Sequence, residues 1–398
     1  MSADVLPHEA YLAAMSTLDG LGPATLRRLA ALGDPADTWT ALRRGTLRGT
    51  GAHAVRVGGP RAGGVRAGSG DRFDEWRLAA QRIDPGRLWE QLRHHDVGVA
   101  SIGTAGYPPQ LIDDPDPPVL VFHLGDLRVL ERPRVAIVGT RRATGYGLEV
   151  AHHLGRGLAE VGVCVVSGLA LGIDAAAHAG ACSGDGAGPA AVVAAGLDAP
   201  CPVANRALAR RLASCGLVVS EVPVGVSAQP WRFPVRNRII AALAQVVVVV
   251  ESADRGGSMS TVEHAAVRDR TVLAVPGPVG APSSAGTNAL IADGAGVCTS
   301  IEDVLVALGL AAVPAGRAPS VDPRPEPTGV ASSVLEALGW RPESIEFLVG
   351  RVGLSVQAVA AAVGWLEVNG WVTLAGGFVE RRSDGSAWRP SGHADGRP

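Results

Sequence analysis

Val246-Val247-Val248-Val249-Val250, five consecutive β-branched residues between Gln245 and Glu251, decide the fold. A run that is apolar on both alternating faces suits a strand covered on both sides, the situation of a parallel sheet. Five more short β-rich runs lie on either side of it, at 135–138, 163–166, 191–195, 217–219 and 272–275. Each ends in polar or glycine residues and is followed by a stretch of helical periodicity. Strand and helix alternating in this way predict an α/β fold, an extended Rossmann-like doubly wound parallel sheet. Residues 101–126, with Tyr107-Pro108-Pro109 and Pro117-Pro118-Val119-Leu120-Val121-Phe122, read as a β-containing extension ahead of that sheet.

The flanks have a different character. In residues 1–95, Tyr11, Leu12, Met15, Leu18, Leu21, Leu26 and Leu29 recur at helical spacing, broken by the turn Leu18-Asp19-Gly20-Leu21-Gly22-Pro23-Ala24-Thr25. This predicts a small helical, SAM-like or helix–hairpin–helix module, whose hairpin either offers backbone N–H groups to a phosphate or is simply a turn in a bundle. Residues 50–72 are rich in Gly and Arg and read as a flexible insertion, with the sheet domain spanning 96–310. Residues 311–330 hold five Pro and read as a linker. Residues 331–382 carry helical apolar spacing and then a hairpin, Trp371-Val372-Thr373-Leu374, Ala375-Gly376-Gly377, Phe378-Val379-Glu380, the order of a winged helix. Its recognition helix, about 355–369, has no Arg and one Glu, which suits packing against the main domain or a protein contact better than a DNA groove. Residues 383–398 read as a disordered tail.

Composition narrows the chemistry. The 398 residues carry a formal charge of −2, and all 36 basic side chains are Arg. Without Lys there is no lysine Schiff base and no Walker A loop. The near-neutral total excludes a uniformly basic surface but not a local basic groove. Five Cys (Cys164, Cys182, Cys201, Cys215, Cys298) show no CxxC and no paired spacing, so neither a disulfide framework nor a zinc site is expected, in keeping with a reducing cytoplasm. No secretory leader, membrane span, resident cofactor or metal is expected.

Ligands of doubly wound sheets sit beyond the carboxyl ends of the strands. Those ends read Gly139-Thr140-Arg141-Arg142-Ala143-Thr144-Gly145, Ser167-Gly168-Leu169-Ala170-Leu171-Gly172-Ile173-Asp174, Gly196-Leu197-Asp198, Ser220-Glu221, Gly256-Gly257-Ser258-Met259-Ser260-Thr261 and Pro276-Gly277. The first is not G-x-G-x-x-G, and no acidic residue at the second strand end awaits a ribose, so a dinucleotide cofactor is poorly supported. Residues 133–238 instead hold ten Arg against six acids, in clusters around Arg141 and Arg142, around Arg206, Arg210 and Arg211, and around Arg232, Arg236 and Arg238. Trp231 and Phe233 interleave with the last. Guanidinium forks beside flat aromatic faces suit a single-stranded nucleic acid with unstacked bases.

The run Val135-Ala136-Ile137-Val138-Gly139-Thr140-Arg141, the segment from Ser167-Gly168-Leu169-Ala170 to Gly172-Ile173-Asp174 with His178, and Phe233-Pro234-Val235-Arg236-Asn237-Arg238-Ile239-Ile240 together resemble the DprA (Smf) family of bacterial DNA-processing proteins. Gly257-Ser258 with Thr261, Ala274-Val275-Pro276-Gly277 and Gly286-Thr287-Asn288 extend the resemblance, which covers about residues 100–300 strongly. It implies a single-stranded DNA-binding recombination mediator that protects incoming DNA, loads a RecA-type recombinase, serves natural transformation, forms a homodimer and has no assigned catalysis. It further implies a DNA pocket lined by Arg141, Ser167, Gly168, Phe233, Arg236, Asn237 and Arg238, floored by Gly257, Ser258 and Thr261; the strand-end residues Gly139, Thr140 and Arg142, and Trp231 beside the third arginine cluster, join this candidate site on their own chemistry. Thr140 stands where Ser is usual, and Leu171 where Arg or Lys is common, which removes one phosphate contact.

An enzyme is the rival reading. The stretch from Gly256 to Glu263 faintly resembles the phosphate cradle and Glu of Rossmann-type nucleotide phosphoribohydrolases, although Met259 falls where that pattern has Gly. Asp174 and His178, four apart on one helix, read either as metal ligands or as a helix-start carboxylate with a packed imidazole.

Overall fold

In the computed structural model, residues 6–47, 69–184, 186–199, 202–310, 324–339 and 342–382 are described. Most of the expected insertion and linker, and all of the tail, lie outside them. Residues 69–72 of the expected insertion already belong to a helix, and Val330 of the expected linker begins one. The chain divides into two compact units, residues 1–142 with 151–310, and residues 143–150 with 311–398.

The first unit opens with α1 (His8–Ser16), α2 (Pro23–Ala30), α3 (Pro35–Arg44), α4 (Ser69–Arg82) and α5 (Pro85–His94). Pro occupies the first helical position of α2, α3 and α5, where its missing N–H costs nothing. Asp34 and Asp84 cap α3 and α5 by accepting from Ala36 N and Gly86 N. A nine-stranded sheet follows, made of β1 (Gly98–Ser101), β2 (Leu120–Gly125), β3 (Arg134–Val138), β4 (Cys164–Ser167), β5 (Ala190–Val193), β6 (Leu217–Ser220), β7 (Val246–Val249), β8 (Thr271–Ala274) and β9 (Gly296–Val297). Between its strands run α6 (Gly145–Glu160, whose residues 145–150 group with the second unit), α7 (Ile173–Ala181), α8 (Arg206–Cys215), α9 (Arg232–Leu243), α10 (Met259–Ala266) and α11 (Ala285–Ala292), and α12 (Ile301–Ala307) ends the unit.

The strand order is β1-β2-β6-β5-β4-β3-β7-β8-β9. From β6 to β9 all pairs are parallel; β2 joins β6, and β1 joins β2, antiparallel. All six expected strands are present, and the expected extension supplies the antiparallel edge. The pleat sorts side chains by parity. Phe122, Ala191, Val193 and Val218 face a core that includes Leu12, Leu18, Trp39, Leu42 and Trp76 of the N-terminal helices. Their neighbours Val121, Ala190, Val192, Val219, Val247 and Val249 face a second core against Ile239, Ile240 and Leu243 of α9. The five-valine run is buried throughout, as its two-faced apolarity requires.

Residues 182 and 215 correct the cysteine reading. Cys182, which caps α7, and Cys215, the last residue of α8, form a disulfide across 33 residues, with Cα atoms 6.5 Å apart. Spacing gave no sign of it because the pairing comes from the packing of two crossover helices against each other. Cys164 is the buried thiol expected, and burial lifts its pKa to about 12.

In the second unit, α13 (Val330–Leu338), α14 (Ile345–Val352) and α15 (Val356–Val368) pack on a small sheet of order β10-β12-β11, with β10 (Glu343–Ser344), β11 (Val372–Ala375) and β12 (Phe378–Arg381). Gly376 and Gly377, at φ of 59° and 85°, make the two-residue hairpin turn that only glycine enters readily. Val334, Leu348, Val359, Leu366 and Val379 form its core. This is the expected winged helix.

Candidate nucleic-acid interface

The strand order reverses direction at β3, so the crevice opens between the ends of β3 and β7. Thr140 N donates to Glu251 O at 2.7 Å and ties those two ends together. Gly139 is needed here: a Cβ would lie 2.5 Å from Ile173 Cγ1 and 2.8 Å from the Glu251 carbonyl. Gly172, at φ 78°, lies under the same turn, against the carbonyls of Thr140 and Arg141. Arg142 N donates to Thr140 Oγ1 at 3.2 Å, which folds the turn back on itself. Arg141 and Arg142 are exposed, and among the described residues neither guanidinium has an ion-pair partner. The Arg141 guanidinium lies 4.9 Å from the centre of the Phe233 ring, on the first turn of α9. Next to it Arg232 covers the exposed Trp231 ring at 4.6 Å.

Arg236 and Arg238 are placed differently from these five residues. Both are buried. Arg236 Nη1 donates to the carbonyls of Gly168, at 2.7 Å, and of Val192, bridging the ends of β4 and β5 from below. Burial pulls its pKa down to about 10, against the attraction of Asp174. Gly168 makes room for it, since a Cβ there would lie 2.5 to 2.8 Å from the guanidinium. Arg238 Nη2 donates to both oxygens of Glu221, at 2.6 and 2.7 Å, and its Nε faces Asp116 at 3.0 Å. Burial lifts the Glu221 carboxyl above its ordinary pKa despite Arg238.

The remaining residues build the frame. Ser167 Oγ donates to Ile137 O at 2.6 Å, joining β4 to β3. Asn237 Nδ2 donates to Ser260 Oγ at 2.7 Å, joining α9 to α10. Ser258 Oγ donates to Ser252 Oγ at 2.9 Å, and Thr261 is buried beside it. Gly257 has open space on its Cβ side. Asp174 accepts from Gly168 N at 3.1 Å and Ala170 N at 3.4 Å, and burial raises its pKa. His178 is fully buried, with a pKa near 3 because burial disfavours its charge. The Asp174 and His178 pair therefore takes the helix-start-and-packed-imidazole form. Among the described residues no group of three or more His, Cys, Asp or Glu is placed to hold a metal. Glu263, the acid of the hydrolase reading, is exposed on α10.

Sequence reasoning missed the carboxylates that claim the buried guanidiniums, Glu221, Asp116 and Asp174. It also missed Leu169, a buried residue held at φ 55°, a strained conformation of the kind that clusters at functional sites. Nothing in the local sequence marks that strain except the preceding Gly168.

The fold and this rim define a Rossmann-type α/β protein with a winged-helix unit and an exposed arginine turn at its switch point. The family model of DNA recombination-mediator protein A matches residues 98–309, and that of the DprA winged helix domain matches residues 318–377. The chain belongs to the DNA recombination-mediator protein A family. It is 41% identical over 251 residues to a Mycobacterium tuberculosis DNA processing protein DprA, a match that spans 63% of this chain and 62% of that protein. It is 36% identical over 308 residues to Escherichia coli protein Smf, covering 75% and 81% of the two. The X-ray structure of DprA from Streptococcus pneumoniae superposes with a TM-score of 0.61 at 30% identity, covering 75% of this chain and 97% of that one.

Proposed function

We propose that this chain binds single-stranded DNA at the rim between β3 and β7 and acts without turnover as a recombination mediator. One observation carries the reading: two exposed guanidiniums, Arg141 and Arg142, with no ion-pair partner among the described residues, stand at the switch point with an aromatic ring against one of them. Guanidiniums hold phosphates, while partly exposed rings offer unstacked bases a face to stack on. Arg141, Arg142, Phe233 and Trp231 meet the strand. Thr140 and Gly257 let the backbone come close, while Gly139 and Ser258 fix the turns that carry them. Arg236, Asn237, Arg238, Ser167, Gly168 and Thr261 serve from beneath, by fixing the strand and helix ends that form the rim. Protection of incoming DNA, delivery of a RecA-type recombinase, natural transformation, a homodimeric state and a cytoplasmic setting complete the proposal, supported by family membership.

The test is a fluorescence-anisotropy titration of the full chain with a single-stranded oligonucleotide and with the same sequence as duplex. Tighter binding to the single strand is expected. Phe233→Leu keeps the fold and weakens that binding by roughly tenfold, the worth of one base stack, with an unchanged salt slope. Equal, salt-insensitive binding to both forms would contradict the reading.

A further inference from the structure

The segment Asp113-Asp114-Pro115-Asp116-Pro117-Pro118 precedes β2 and touches no residue of the exposed rim in any described hydrogen bond or ion pair. It holds three other elements in place. The Asp114 carboxylate takes Arg268, two residues past α10, through Nε at 2.6 Å and Nη2 at 2.8 Å, and both side chains are buried. Asp116 faces Arg238 of α9 at 3.0 Å, and its carbonyl accepts from Arg238 Nη1 at 2.9 Å. The same Asp116 carboxylate pairs with Arg27 of α2, whose Nη2 also donates to Pro117 O at 2.8 Å. Asp116 N donates back to Asp114 Oδ1 at 2.8 Å, and Tyr107 OH donates to Pro118 O at 2.6 Å. With three prolines restricting φ, the segment is a stiff strut. It grips α9, the end of α10 and the N-terminal helices at once.

The gripped helices carry the rim. Phe233 sits on α9, five residues before Arg238, and Asn237 ties α9 to Ser260 of α10. The contact between Arg141 and Phe233 stands at 4.9 Å, and such contacts fade beyond about 6 Å, so a shift of about 1 Å in α9 weakens it. We infer that Arg27, Asp114, Asp116 and Arg238 are positioning residues for the DNA rim, so that affinity for a single strand depends on the N-terminal helices although Arg27 touches no DNA. This deepens the DNA-binding proposal above and rests on it.

Arg27 and Asp116 are partly exposed, with side-chain accessibilities of 36% and 48%. An exposed ion pair of that kind contributes little to stability, so Arg27→Gln leaves the full chain folded. Two readouts test it. The first is amide hydrogen exchange without DNA, where Arg27→Gln and Asp116→Asn quicken exchange in residues 232–238 and Arg27→Lys partly restores protection. The second is anisotropy with an oligothymidylate across salt, where Arg27→Gln weakens binding about two- to fivefold at an unchanged salt slope. Unaltered exchange in both variants overturns the clamp while leaving the DNA reading standing. Unaltered affinity with quickened exchange overturns its role in binding. A slope shallower by about 0.7 makes Arg27 a phosphate contact and overturns positioning. If the unmodified chain does not bind the oligothymidylate, the DNA reading itself falls.

Discussion

Gly168→Ala is the substitution whose cost the structure specifies most closely. A methyl group there would stand 2.5, 2.7 and 2.8 Å from three guanidinium atoms of Arg236. The guanidinium has nowhere to go, because it is buried and already committed to the carbonyls of Gly168 and Val192. Overpacking of this kind costs about 1–3 kcal/mol. Displacing the charged donor from Gly168 O adds about 1.5–3 kcal/mol. The sum, about 2.5–6 kcal/mol, lowers the thermal midpoint of a unit this size by on the order of 10 °C. Gly257→Ala is the matched control, since nothing lies within 4 Å of the position its Cβ would take, and it stays within about 0.5 kcal/mol of the parent. Circular-dichroism melts of the three full-length proteins decide the matter. A Gly168→Ala midpoint equal to that of Gly257→Ala would refute the view that Arg236 is locked beneath the rim.

Two further outcomes follow from buried groups. His178 has a folded pKa near 3 against about 6.5 when unfolded, so between those values only the unfolded chain binds its proton. Its contribution is therefore full above pH 6.5 and falls as the pH drops, by up to about 1.4 kcal/mol per unit. In urea unfolding, the stability advantage over His178→Gln should shrink from pH 7 to pH 5, and an unchanged difference would contradict the buried neutral imidazole. The pairing of Cys182 with Cys215 predicts that adding reductant to the unfolded chain releases two more titratable thiols. No increase would contradict it, and Cys215→Ser should cost about 3–4 kcal/mol by loop entropy.

Much of the fold was legible because its signals are local. A strand buried on both faces must be apolar at every position, and the valine run shows that without any knowledge of its neighbours. The glycine pair at 376 and 377 marks the hairpin of the winged helix in the same way. The two-residue strand β9 was not legible, being too short to carry a period. The site divided along the same line. Arg141 and Arg142 belong to a glycine-flanked strand end, and the structure leaves them exposed there. Arg236 and Arg238 look identical to them in sequence, yet their surroundings depend on Gly168, Val192, Glu221 and Asp116, which lie from 17 to 122 residues away. A linear pattern shows where a guanidinium is attached to the chain, not which carboxylate or carbonyl folding will bring to it. The disulfide escaped for the same reason.

Single-strand affinity measured across a salt series, for the parent chain and for Arg141→Ala/Arg142→Ala, tests the account most directly. Each phosphate held contributes about −0.7 to the slope of log affinity against log salt, so removing two guanidiniums makes the slope shallower by about 1.4. Because both side chains are exposed and have no ion-pair partner among the described residues, the melting temperature should stay where it was. An unaltered slope and affinity in the doubly substituted chain would show that DNA, if bound at all, is held somewhere other than this rim.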